Sequence, residues 1–308
     1  MKAKWIRMAI GRKVDDWLES IKDEQVRKLA ASNTIVTGGC IVSMLLGEDV
    51  NDFDLYFRNR ETALAVAEYY VKQFKENPPT RFKDQPNRLV GISVDGAGDR
   101  IKIVVKSSGI AGEGGSADYQ YFEQQAGDEA SATFVDQVTT DAQETATADK
   151  SKDKYRPMFL SANAITLSHK VQVILRFYGE PETIHTTYDF VHCTCHWDSA
   201  TRFLSLPAGA LEAILAHDLR YLGGSHYPIC AMIRTRKFIK RGWNITAGQY
   251  LKIAWDVSKL NLNSFSVLED QLIGVDSAYF AQVLELLRAK NPDEVDRAYL
   301  MEVIDKIF

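Results

Sequence analysis

The chain has 308 residues, of which 45% are hydrophobic and 25% charged, with a formal net charge of −4 and an isoelectric point near 5.9. That describes an ordinary soluble protein large enough for two domains, and gives no overall footprint of a nucleic-acid binder. No signal-peptide pattern and no apolar run of membrane-spanning length stands out, and four cysteines without a framework spacing predict reduced thiols in a cytoplasmic compartment.

Along the chain, residues 13–30 carry an apolar stripe at helical spacing (Val14, Trp17, Leu18, Ile21, Val26, Leu29) that Ser32-Asn33 interrupts. Thr34-Ile35-Val36 then leads into Thr37-Gly38-Gly39-Cys40, a buried helix is expected over 40–46, and Gly47 ends it. A strand over 52–57 follows, holding Asp52 and Asp54 among Phe53, Leu55, Tyr56 and Phe57. A strand repeats every two residues, so both acids face one side roughly 7 Å apart. Two hard oxygen donors side by side suit a magnesium ion carrying nucleotide phosphates. Gly38 and Gly39 let backbone approach those phosphates, and the helix beginning at Cys40 offers free N–H groups at its positive end.

Residues 60–75 read as a helix stopped by Asn77-Pro78-Pro79. Strand-like runs over 88–94 and 100–106 are joined through Asp95-Gly96-Ala97-Gly98, a hairpin signal. From Gly109 to Thr147 there is no lysine or arginine, and the 107–154 stretch reads as an acidic, disordered insertion with too little apolar material to offset ordering entropy. Its Gly112-to-Ser116 segment lacks the lysine of a phosphate-binding loop.

Order resumes near Tyr155, with strands expected over 164–167, 170–177 and 186–192, the last holding Asp189. The run His192-Cys193-Thr194-Cys195-His196 invites a zinc site. Strand alternation would put the cysteines and the histidines on opposite faces, so the cysteines read as small buried residues. Beyond Pro207, apolar-periodic segments over 208–220, 228–241, 246–258 and 277–290 predict helices. Within 233–241, Arg234, Lys237 and Arg241 share one face of a basic helix able to touch a triphosphate or an RNA backbone.

The glycine pair, short apolar helix and acid-hydrophobic-acid strand resemble the signature of DNA polymerase β-like nucleotidyltransferases. The nearest wording is that of the CCA-adding and poly(A) polymerase branch, through Leu45-Leu46-Gly47 before the acids and Arg234, Phe238 and Gly242-Trp243 after them. The resemblance implies an α+β core, a small mixed sheet with helices on one face, over residues 1–206, and an all-helical domain over 207–308. It implies transfer of a nucleoside monophosphate from an NTP, with Mg2+ or Mn2+, to an acceptor hydroxyl, foremost an RNA 3′ end. A protein or small-molecule acceptor, and a catalytically silent regulator, are the alternatives.

By that resemblance Asp52, Asp54 and Asp189 hold the metal ions and carry catalysis, with His192 close by. Asp189 is the third carboxylate on a strand beside the acid pair, ahead of the rivals Asp95 and Asp99 in their turn. Gly38, Gly39, Cys40, Arg234 and Lys237 contact the nucleotide. Where many relatives have serine, this chain has Gly39 and then Cys40, so a phosphate-binding hydroxyl is missing or comes from Thr37 or Ser43. The chain also departs from the CCA-adding pattern. Asn163-Ala164 precedes Asp189 rather than following it, and Glu269-Asp270 lacks an arginine three residues on. Nucleotide selection and a role in tRNA maturation are therefore not implied, and a member carried by a bacteriophage or another mobile element fits the insertion.

Overall fold

The computed structural model describes residues 2–78, 92–98, 101–105, 154–160, 163–262, 264, 267 and 271. They divide into two compact units: the described residues of 2–184 with 195–206, and 185–194 with those from 207 onward.

The first unit opens with two helices, α1 (Ala3–Ser20) and α2 (Glu24–Asn33), where the apolar periodicity predicts one over 13–30. Asp23 makes the break. Its carboxylate accepts from the amides of Gln25 and Val26 at 2.9 and 3.1 Å, capping the second helix. The strand β1 (Thr34–Thr37), the helix α3 (Gly39–Leu46) and the strand β2 (Phe53–Phe57) follow as expected, with Gly47 left-handed at the end of α3. Next comes α4 (Arg60–Glu76), whose N-cap Asn59 accepts from the Thr62 amide at 2.9 Å.

A separate ladder pairs β3 (Ile92–Asp95) with β4 (Lys102–Val105), and the Ala97 amide donates to Asp95 at 3.0 Å in the turn between them. Residues 88–91, 99, 100 and 106 of the expected hairpin lie outside the described residues, as do 107–153 of the insertion, Glu269-Asp270 and the helix expected over 277–290.

The main sheet adds β5 (Pro157–Leu160), β6 (Ala164–Leu167), β7 (Val171–Tyr178), β8 (His196–Asp198) and β9 (Leu204–Ser205). Its order is β5-β6-β7-β2-β1-β8-β9, and it is mixed because β2 and β7 run parallel while the other pairs are antiparallel. The fold is α+β. The sheet is wider than the sequence suggests, because β8 and β9 are only three and two residues long and leave almost no periodicity to read.

Cross-strand register explains how the sheet is dressed. The row Ile165, Val173, Leu55, Val36, Trp197 and Leu204 crosses six strands and is wholly apolar. On that side Trp17 of α1 lies 6.5 Å from Phe57 and donates its indole N–H to Tyr70 of α4 at 2.8 Å. Full burial of a side chain such as Leu55 contributes about 2 kcal/mol. Gly11 admits a close crossing here. A Cβ at this position would come within 2.8 Å of Arg202, whose guanidinium lies 5.4 Å over the Trp197 ring and grips Asp15 at 2.6 and 2.8 Å.

The second unit contains α6 (Ala208–Ala216), α7 (Pro228–Lys240) and α8 (Ala247–Ser258). Residues 186–192 are not the expected strand. After the short helix α5 (Pro181–His185), the Tyr188 amide closes onto the His185 carbonyl, Phe190 makes a single bridge to Tyr221, and Val191–Thr194 form a 3₁₀ turn. The β-branched and aromatic character of the segment serves burial rather than pairing: Phe190 and His192 are almost wholly enclosed. Among the described residues no helix is long and apolar enough to cross a membrane.

Candidate functional site

In the first unit the chain turns from β1 into α3 through Gly38, whose φ of 93° and ψ of −148° belong to a region that side chains exclude. Gly39 is different. A Cβ built there meets nothing within 4 Å, so its bareness leaves open space beside the backbone rather than relieving a protein contact.

Cys40 follows in the first turn of α3. Burial first, then the carboxylates of Asp54 and Asp52, push its thiol well above the usual range. That keeps Cys40 protonated and places it in the field of both acids at once. Gly38, Gly39, Cys40, Asp52 and Asp54 are thus brought to one neighbourhood, with Asp52 exposed just before β2 and Asp54 half-buried within it.

The strands flanking Asp54 are β1 and β7, and the residues in register with it are Thr37 and Gln172. Extended across the sheet, this row reads Thr166, Gln172, Asp54, Thr37, His196 and Ser205, every member polar. Successive residues of a strand face opposite sides, so the polar row lies on the face away from the apolar one. Sequence reading does not find this row, because its members come from six separate segments that only the register aligns.

The Thr37 hydroxyl, an expected phosphate ligand, donates to the Cys195 carbonyl at 2.9 Å and ties β1 to the start of β8. Ser43, the other candidate, is buried in α3. Asp95 is exposed at the end of β3, and Asp99 lies outside the described residues.

Asp189 lies in the second unit, and the strand expected to carry it beside the acid pair is replaced by the turn described above. Its carboxylate is 7% exposed, accepts from the Ser225 hydroxyl at 2.9 Å and is ion-paired with Arg234 of α7. Two residues expected to meet metal and triphosphate are therefore partners of one another. Lys237, Lys240 and Arg241 of the same basic segment are exposed.

His192, expected near the metal, is instead fully buried in the second unit. It stacks on Phe190 at 5.8 Å, with Trp243 at 4.2 Å and Phe238 at 4.7 Å, and neither ring nitrogen has a hydrogen-bond partner. Burial, with a smaller contribution from Arg241, holds its pKa down at about 3. Cys193 is half-buried and Cys195 fully buried, both as free thiols. Among the described residues no three His, Cys, Asp or Glu side chains are grouped to hold a metal ion.

A glycine turn, an acid strand and a polar sheet face make up the candidate site of this α+β protein. The family model of Gad2, the Gabija anti-defense 2 family protein, matches residues 9–217, and the chain belongs to that family. It is 26% identical over 140 residues to Gabija anti-defense 2 of Bacillus phage SPbetaL7, covering 45% of this chain and 33% of that protein. The aligned part thus spans about a third of the phage relative's length.

Among solved structures, the chain is similar to the Bacillus stearothermophilus CCA-adding enzyme in complex with CTP, at a TM-score of 0.39 and 14% identity over 88% of this chain and 51% of that one. It is also similar to the Thermotoga maritima CCA-adding enzyme complexed with tRNA, at 0.39 and 13%, over 95% and 68%. Superpositions this loose carry no weight for activity.

Proposed function

We propose that the chain is a metal-dependent nucleotidyltransferase whose site is built on Gly38, Gly39, Asp52 and Asp54. The observation that carries this reading is the joint placement of the open turn at Gly39 and the two acids around Cys40. The donor set fits a hard divalent ion such as Mg2+ or Mn2+: two carboxylates two positions apart, one exposed and one half-buried, with no soft ligand ionised beside them. Such an ion, when bound, neutralises phosphate charge and lowers the pKa of an attacking hydroxyl.

The chain's own part is to bind and orient. The turn at 38–39 brings backbone to the phosphates, and the first-turn amides of α3 favour negative charge there. In the reaction the acceptor oxygen attacks the α-phosphorus, the bond to the β-phosphate oxygen breaks, pyrophosphate leaves, and the hydroxyl proton passes to solvent. Positioning and charge neutralisation supply most of the acceleration.

The acceptor we favour is an RNA 3′ end. The support is the exposed basic edge of α7 at Lys237, Lys240 and Arg241, which suits a phosphate backbone. A protein acceptor is the second reading, favoured by the net charge of −4, by the tying of Arg234 to Asp189, and by a family named for opposing a defence system. Asp189, paired with Arg234, is not among the residues this reading requires.

The test is transfer of label from each α-³²P NTP, with Mg2+ or Mn2+, into total RNA and protein. Label that appears with wild type and vanishes with Asp52→Ala/Asp54→Ala supports the reading and names the acceptor class. Equal labelling by both proteins rules it out.

A further inference from the structure

A second charged cluster lies on the helical side of β2, and neither the acids nor the glycine turn uses it. Lys13 of α1 is half-buried with its ammonium 5.3 Å from the Phe53 ring and 5.2 Å from the Tyr155 ring. Phe53 points away from Asp52 and Asp54, because neighbouring residues of a strand face opposite sides. The Tyr155 ring lies 5.2 Å from that of His169, and Lys170 reaches the Val50 carbonyl at 2.9 Å, holding the loop that leads into β2. Lys154, next to Tyr155 in the chain, completes the group and acts electrostatically on Lys13.

Among the described residues, Lys13, Lys154 and Lys170 share this cluster with the acid Asp16. Burial first, opposed by Asp16 and aided by Lys170 and Lys154, brings the pKa of Lys13 down to about 8. His169 is held down by burial and then by Lys13 and Lys154. Like charges are therefore gathered in a partly desolvated place, an arrangement that costs stability until an anion enters it.

The backbone turns left-handed at the same spot, at Tyr155 and in the turn between β6 and β7. Tyr155, His169 and Lys170 have φ of 59°, 66° and 60°, three of the five non-glycine left-handed residues among those described. The left-handed backbone at Tyr155 and in the β6–β7 turn at His169 and Lys170 sets these residues beside Lys13.

We propose that Lys13, Lys154, His169 and Lys170 form an anion site for a chain of linked phosphates, beneath the acid strand and separate from the Gly38-Gly39 turn. The ligand class is a polyphosphate, either inorganic or the tail of a nucleotide. Several amines converge on it, so multiple negative charges are matched at once. The site stands on its own residues and does not depend on nucleotidyl transfer.

The experiment is calorimetric titration of the full chain at pH 7 without divalent ions, using inorganic tripolyphosphate in one arm and a non-hydrolysable NTP in the other. Lys13→Gln should weaken binding at least tenfold, and Lys154→Gln, at an exposed position, should weaken it severalfold without disturbing the fold. Lys28→Gln, at an exposed lysine paired with Glu24 and outside both sites, should bind tripolyphosphate as wild type does. In protein carrying ¹³C-methylated lysines, the Lys13 resonance should titrate near pH 8 and move upward when tripolyphosphate is added. Binding in both arms assigns the phosphate chain alone, and binding only in the NTP arm assigns a nucleotide. Failure of wild type to bind either ligand, or unchanged affinity in both Lys13→Gln and Lys154→Gln, overturns the proposal.

Discussion

Asp54 and Asp189 look alike in sequence, each an acid among aromatic and β-branched neighbours, yet the fold treats them in opposite ways. Asp54 is half-buried in the middle of a polar row that crosses six strands, in the first unit. Asp189 is enclosed in the second unit, with Ser225 donating to it and Arg234 balancing its charge. A carboxylate enclosed with a guanidinium and a hydroxyl holds structure together, whereas the half-buried one near the glycine turn is the one our proposal assigns to a ligand. Acid-rich motifs in sequence do not distinguish the two cases; burial and partners do.

The largest expected effect lies on the open side of this comparison. Asp52→Ala/Asp54→Ala should reduce label transfer by about 10³-fold or more, since removing the carboxylates removes the charge clamp. Thermal melting should be nearly unchanged, because Asp52 is exposed and Asp54 half-buried. On the enclosed side, Asp189→Asn should cost about 1–2 kcal/mol in urea unfolding, because the buried carboxylate no longer balances the partly exposed Arg234. Abolished transfer with an unchanged urea midpoint would instead return Asp189 to catalysis and collapse the distinction.

His192 sharpens the contrast through pH. Its folded pKa of about 3 lies below the ordinary value of 6.5. The unfolded chain therefore binds more protons between those values, and stability falls as pH drops from about 6.5 toward 3. Urea titrations should show this decline, on the order of a few kcal/mol at its full extent, and His192→Phe should abolish it. The same variant should be neutral or slightly stabilising at pH 7, since two unpartnered buried nitrogens are removed.

The smallest effects come from the glycine turn and the basic helix. Gly38→Ala should cost about 2 kcal/mol of stability by straining a glycine-only conformation. Gly39→Ala should leave melting within about 0.5 kcal/mol and weaken NTP binding, because its methyl would enter open space. If RNA is the acceptor, Lys237→Gln should make RNA binding less salt-dependent, reducing the log–log slope by about 0.7 for the single phosphate it no longer neutralises.

Much of the fold was legible because its signals are local. Asn59 and Gly47 mark helix ends, the alternation of Val171, Val173 and Leu175 marks β7, and Gly38-Gly39 with Asp52 and Asp54 marks the candidate site. The failures arose where tertiary contacts override local pattern. Thr186 to His192 has strand composition but is shaped by the aromatic cluster around Phe190 and Trp243. The break at Asp23 hides inside a continuous apolar stripe, because capping needs only one well-placed carboxylate. The polar row from Thr166 to Ser205 exists only once strand order and register are known.

The most direct test of the central claim is Mn2+ binding, followed by electron paramagnetic resonance in the presence of a non-hydrolysable NTP. The account predicts that wild type binds Mn2+ with the nucleotide, that Asp52→Asn/Asp54→Asn does not, and that Asp189→Asn binds like wild type. Equal Mn2+ binding by the Asp52→Asn/Asp54→Asn variant would contradict it.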